Sequence, residues 1–161
     1  MRLPAAILTL VVAHAGAAHS QSRGFTFAML SGAWSGTGSV TLSSGNVERI
    51  RCRASYEVVP SGNAFQQKLR CTSDTYDFNL QSSVVRTGAE TISGTWTEVT
   101  RNANGNISGR ISGSSINANI QGPAFAASLG MTVQADRQTV SIRSQGAELS
   151  SISITLRRGA G

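Results

Sequence analysis

Cys52 and Cys71 stand at equal distances from the turn sequence Pro60-Ser61-Gly62-Asn63. If the chain folds back about that turn, the two cysteines fall opposite each other. Opposed residues on antiparallel strands have Cα atoms about 4.5–5.5 Å apart, and a disulfide needs about 4.4–6.8 Å. One feature therefore specifies a hairpin, a register and an oxidising compartment. Two buried free thiols are the alternative. Pro60 lacks the N–H that a two-residue hairpin would use. The spacing therefore predicts a loop over 60–63, with Asn63 in the left-handed position. Val59 then meets Ala64, Val58 meets Phe65, Tyr56 meets Gln67, Ala54 meets Leu69 and Cys52 meets Cys71.

The rest of the chain alternates in the same way. Tyr76, Phe78 and Leu80, then Ile116, Ala118 and Ile120, then Ile152, Ile154 and Leu156 are each spaced by two with polar residues between. Period two is the signature of half-buried β-strands. Gly, Asn, Ser and Pro punctuate at short intervals, as at Ser43 to Asn46, Asn102 to Asn106 and Gln145-Gly146. Ten strands are expected, over 32–42, 47–59, 64–74, 75–84, 90–100, 106–112, 115–121, 124–134, 138–144 and 149–157. Such spacing predicts an all-β chain, an antiparallel up-and-down meander closing as a small barrel, with a β-sandwich as the alternative. The expected core holds Trp34, Tyr56, Phe78, Trp96, Ile111, Phe125, Leu129, Ile142 and Ile154.

Ser31-Gly32-Ala33-Trp34-Ser35 is echoed by Ser93-Gly94-Thr95-Trp96-Thr97. The echo is either two chance strand starts or two similar halves, each closed at one end by a Trp. Gly32-x-Trp34, opening the first strand of a β-meander, resembles the first-strand signature of calycins, the lipocalin and avidin-like barrels. The resemblance implies a Trp34 packed against an arginine near the last strand, Arg157 or Arg158. It also implies small-ligand binding.

The first residues read as a signal peptide over 1–20. Arg2 precedes the apolar run Leu3–Val12, and small residues follow at Ala13, Ala15, Ala17 and Ala18. The run is too short to cross a bilayer, which takes about 20 residues. Residues 21–31 are expected as an N-terminal arm, whether short helix, lead-in strand or flexible segment. Residues 32–158 are expected as one barrel domain. Export and a disulfide agree with each other, and point to the periplasm or the extracellular space. Cleavage after residue 20 removes one of 14 basic residues and none of 8 acidic ones, so 13 − 8 leaves a net charge of +5. That balance favours anionic partners.

Both histidines, His14 and His19, fall in the expected signal segment, and both cysteines are expected to be oxidised. The usual general base, metal ligand and thiolate nucleophile are thereby missing. Among the carboxylates Glu48, Glu57, Asp74, Asp77, Glu90, Glu98, Asp136 and Glu148, Asp74 and Asp77 have opposite strand parity and so make no local acid–base pair. Glu98 shares the apparent core face with Ile92, Gly94 and Trp96; it is either a partnered buried carboxylate or a solvated rim residue. The sequence reading therefore expects no enzyme, no cofactor and no metal.

The hairpin register gathers cations on the face opposite the disulfide: Arg49, Arg51, Arg53, Lys68 and Arg70. Arg53 stands opposite Arg70, and directly opposed like charges destabilise a sheet. The face is either solvated or an anion-binding surface formed by Arg51, Arg53, Lys68 and Arg70. Nucleic acid is disfavoured as the anion, because none of the 9 aromatic residues interleaves with the stripe to stack bases.

Three functions remain open. The first is an exported, non-enzymatic barrel whose interior, lined by Trp34, Tyr56, Phe78, Trp96 and Phe125, binds an apolar or amphipathic ligand. The second is an envelope interaction module that uses the arginine face for an anionic partner. The third is a small outer-membrane β-barrel, since alternation alone does not say which face points inward.

Overall fold

The computed structural model describes residues 24–124 and 126–159. The expected signal peptide, both histidines and Phe125 lie outside the described residues. Ten antiparallel strands follow one another around a closed barrel. They are β1 (Gly32–Leu42), β2 (Val47–Val58), β3 (Ala64–Thr72), β4 (Asp77–Arg86) and β5 (Thr91–Glu98), then β6 (Ala103–Ser112), β7 (Ser115–Gln121), β8 (Ala126–Gln134), β9 (Arg137–Gln145) and β10 (Leu149–Arg158). Each strand pairs with the next, and β1 pairs with β10 from Trp34↔Arg158 to Leu42↔Leu149. Closure removes both sheet edges, so the architecture is a barrel and not a sandwich.

The β2–β3 hairpin has the register that the turn predicts. Val58 faces Phe65, Tyr56 faces Gln67, Ala54 faces Leu69, Arg53 faces Arg70 and Cys52 faces Cys71. The two cysteines are bonded, with Cα atoms 4.1 Å apart. The loop itself differs in one detail. Gly62, not Asn63, is left-handed (φ +72°), since glycine adopts positive φ without a steric cost. Val59 N–H closes the loop on Ala64 C=O at 3.0 Å.

Several strand boundaries shift by one to three residues from the expected ones, and two of the shifts have a clear physical reason. Residues 73–76 form a turn and not strand, because the Ser73 hydroxyl accepts from Tyr76 N–H (2.8 Å) and donates to the Glu48 carboxylate (2.6 Å). Strand β6 begins at Ala103 and not at 106, although Asn102-Ala103-Asn104-Gly105-Asn106 reads as a loop. Asn104 and Asn106 pair opposite Thr97 and Thr95, while Gly105 pairs opposite Trp96. The Trp96 indole donates to Gln121 C=O at 3.1 Å. A Cβ on Gly105 would stand only 1.8 Å from that same oxygen. Glycine is required there by close approach and not by turn geometry.

The arm before β1 is a plug. Phe27–Leu30 form a 3-10 helix, and Phe25, Phe27 and Leu30 are all buried. Phe25 N–H donates to Gly113 C=O (3.0 Å), and the Arg86 guanidinium reaches Phe25 C=O (3.2 Å). Phe27 packs edge-on against Phe65, ring centroids 4.8 Å apart. This segment closes the barrel end that carries the β2–β3, β4–β5, β6–β7 and β8–β9 turns.

Strand faces settle inside from outside. Ile50, Ala54, Leu69, Val84, Ile116 and Leu156 are among the buried inward residues. Among the described residues, the exposed large apolar side chains are Val47, Val59, Val85 and Val99, all at or next to strand ends. An outer-membrane barrel presents an apolar band about 25 Å tall to lipid. This barrel has the reverse polarity, which corrects the membrane-barrel alternative.

Candidate functional site

Eight strands nearly fill a barrel with their own side chains, and more strands leave room. Here the plugged end is packed, and the opposite half holds a cavity of about 380 Å³. It reaches the turns on the far side, where Tyr76, Arg101, Ala147 and Glu148 border it. Its wall is aliphatic and aromatic, from residues such as Leu69, Phe78, Leu80, Ile107, Leu129 and Ile142. Small-molecule sites typically measure about 300–1,000 Å³ and share this composition.

The expected interior residues divide between the two halves. Phe78 and Trp96 line the cavity. Trp34 and Tyr56 are buried, at 1% and 3% exposure, but lie outside its lining. Trp34 belongs to the plug: its indole donates to Leu30 C=O at 2.7 Å. The Arg158 guanidinium sits 4.4 Å from its ring centroid and donates to the carbonyls of Met29 and Ser31. The arginine against Trp34 is therefore Arg158; Arg157 turns outward to Asp136 at 3.3 Å.

Sequence reasoning overlooked the polar residues at the inner end of the cavity. Register sets Tyr56 beside Gln67 and Gln67 beside Ser82 on consecutive strands. Gln67 Nε2 donates to the Tyr56 hydroxyl (2.8 Å), and the Ser82 hydroxyl donates to Gln67 Oε1 (2.9 Å). From across the barrel, Gln138 Nε2 also donates to the Tyr56 hydroxyl (2.8 Å). Gln67 and Ser82 line the cavity; Tyr56 and Gln138 lie behind them. The signal for Gln67 and Ser82 was their inward parity. Gln138 shares the inward parity of Val140 and Ile142, but its contact joins residues 82 apart in sequence, so its partner had no local signal.

Burial pushes the Tyr56 hydroxyl from 10.0 up to about 12, against the smaller opposing effect of the bonds from Gln138 and Gln67. The native state then keeps a proton that the unfolded chain loses. Its stabilising contribution is full below pH 10 and declines between pH 10 and about 12, by about 3 kcal/mol in total. Urea titrations at either end of that window should show a smaller alkaline loss for Tyr56→Phe than for the parent. Equal losses would remove Tyr56 as the cause.

Charges sit at the mouth. Glu98 is buried at 8% exposure, and it is at the rim but not solvated. It accepts from Asn79 N–H (2.8 Å) and Arg101 N–H (2.6 Å). Burial pushes its carboxyl up, but the backbone donors prevail and hold it below the ordinary value. Arg101 lies 3.7 Å from Glu98, stacks 4.5 Å from the Tyr76 ring centroid and donates to Asp77 C=O (3.1 Å). Among the described residues, no group of three His, Cys, Asp or Glu side chains is placed to hold a metal ion.

The four cations of the expected anion-binding surface lie on the outside of the barrel wall. Arg51, Arg53, Lys68 and Arg70 are exposed on β2 and β3. Arg70 pairs with Asp77 at 3.2 Å. Among the described residues, Arg51, Arg53 and Lys68 have no carboxylate within ion-pair distance.

A ten-stranded meander with a helical plug, an arginine over the first-strand tryptophan and an internal cavity is a calycin-like barrel. No protein-family model matches the chain, and no curated protein matches its sequence. The fold is similar to that of the S-type phycobiliprotein lyase CPES from Guillardia theta, at 9% identity over 84% of this chain and 91% of that one, with a TM-score of 0.67. It is also similar to Rv2717c from M. tuberculosis, at 10% identity over 82% of this chain and 94% of that one, with a TM-score of 0.68. The first of these corrects the expectation that the chain is not an enzyme. A barrel of this shape carries a lyase, so the lack of histidine and free thiol among the described residues does not separate binding from catalysis.

Proposed function

We propose that this chain is an exported protein whose barrel interior holds a small apolar or amphipathic molecule. The cavity of about 380 Å³, apolar in its wall and open at one end, carries the reading. Similarity to a phycobiliprotein lyase supports a small-molecule partner at the level of fold. Export rests on Arg2, the apolar run Leu3–Val12 and the Cys52–Cys71 bond. Ala127 points into the cavity from β8. Ala127→Trp should fill the space and abolish binding of a small uncharged fluorescent probe such as 1-naphthylamine, with the far-ultraviolet spectrum unchanged. A folded Ala127→Trp variant that binds the dye as the parent does would sink the proposal.

The arginine face supports a second reading, docking of an anionic envelope component. Arg53 stands against Arg70, and three neighbouring cations have no carboxylate, an arrangement with no structural return. Retention on heparin and on vesicles rich in phosphatidylglycerol should weaken steeply with salt, because exposed charges are screened over about 8 Å at physiological ionic strength. Joint Arg53→Glu and Arg70→Glu replacement should abolish retention and leave the fold intact. Undiminished retention of that variant would leave the face merely solvated.

A further inference from the structure

We infer that the molecule held in the barrel is an uncharged amphiphile, its hydroxyl, carbonyl or amide end turned inward to Gln67 and Ser82. The inference rests on the interior-binding reading above and names the chemistry of the ligand. Its first support is the hydrogen-bonding capacity left over at the inner end of the cavity. A glutamine amide has two N–H donors and two acceptor lone pairs, and a serine hydroxyl has one donor and two lone pairs. Gln67 spends one N–H on Tyr56 and one lone pair on Ser82, and the Ser82 donor is spent on Gln67. One N–H and several lone pairs remain where both side chains border the cavity. Behind them, Gln138 is fully buried and its Oε1 has no partner. A polar group that binds there pairs with the donor and lone pairs left over on Gln67 and Ser82, while Gln138 Oε1 stays behind them.

The second support is the distribution of charge. Tyr56, Gln67, Ser82 and Gln138 are all neutral, so an ionised headgroup at that depth would be unpaired. The burial that pushes Tyr56 up to about 12 disfavours any anion beside it. A carboxylate ligand lying the other way round, head at the mouth, would meet Arg101, but Arg101 is already shared with Glu98 and the Asp77 carbonyl. Glu148 borders the same opening, so two carboxylates and one guanidinium leave the mouth net negative. Size sets the length. A water-sized group fills about 30 Å³, so the cavity admits about a dozen non-hydrogen atoms.

Octanol, octanoate, octylammonium and octane separate the outcomes, titrated into the full chain by calorimetry and followed through tryptophan emission, since Trp96 lines the cavity. Octanol should bind at least about tenfold more tightly than octanoate or octylammonium. Gln67→Leu and Ser82→Ala should each weaken octanol by about fivefold and leave octane unchanged. Ser82→Ala removes only a hydroxyl, so it keeps the test decisive if Gln67→Leu fails to fold. Octanoate or octylammonium binding as tightly as octanol would overturn the inference while leaving interior binding intact. Equal loss of octanol and octane in both variants would overturn it too, by showing damage to the wall and not a lost hydrogen bond. Failure of all four probes would overturn interior binding itself and this inference with it.

Discussion

Replacing Trp34 with alanine is expected to destabilise the barrel by about 3–5 kcal/mol, a range set by large aromatic deletions in packed cores. Trp34 is 1% exposed and touches three parts of the closed end. Its indole N–H satisfies Leu30 C=O at 2.7 Å, which alanine would leave buried without a donor. Its ring supports the Arg158 guanidinium at 4.4 Å, and Arg158 in turn holds the carbonyls of Met29 and Ser31. The plug Phe27–Leu30 is thus tied to β1 and β10 through one side chain. Urea denaturation should show the loss, and Trp34→Phe should recover part of it by keeping an apolar ring. A cost below about 1 kcal/mol for Trp34→Ala would mean that the plug is held by Phe27 and Arg86 alone.

Removing the disulfide is expected to cost about 3 kcal/mol. The bond joins residues separated by 19 in sequence, and the chain-entropy estimate for a loop of that length gives this magnitude. The effect acts on the unfolded chain. The hairpin register is held independently by the flanking pairs Val58↔Phe65, Tyr56↔Gln67 and Ala54↔Leu69. A Cys52→Ala, Cys71→Ala double variant should therefore keep the barrel but unfold at lower urea concentration. Both cysteines are buried, at 2% and 0% exposure, so alanine also removes some packing. Equal urea midpoints for the double variant and the oxidised parent would contradict the entropic account.

The hairpin was legible because its information is local. Pro60, Gly62 and two cysteines at matched distances specify turn, register and cross-link together. Alternation over Tyr76–Leu80, Ile116–Ile120 and Ile152–Leu156 was legible for the same reason, since period two is a property of one strand. Strand β6 was obscured because Asn104 and Asn106 face outward while Gly105 clears space under Trp96. A strand of that composition has little intrinsic β-propensity and is formed by its neighbours. The 73–76 turn was hidden because a side chain from β2, Glu48, helps to pin it.

Inward parity marked Phe78, Trp96, Gln67 and Ser82 equally, and could not say which of them border empty space. That depends on where the plug sits, and the plug is decided by Arg158, Trp34 and Phe65 meeting residues 25–31. The same limit applies to chemistry: histidines and thiols can be counted, but the count does not separate a binding barrel from one that hosts a lyase.

The all-β class, the ten-strand meander, the hairpin register with its disulfide and the cationic outer face of β2 and β3 are written in the local order of residues. Each follows from residues near one another along the chain, where period, turn geometry and spacing act directly. The pairing of β1 with β10, the plug at one end and the hollow at the other, and the reach of Gln138 to Tyr56 across the interior emerge only in the folded barrel. Those features join residues far apart in sequence, and their energies come from packing and burial that exist only once the barrel has closed.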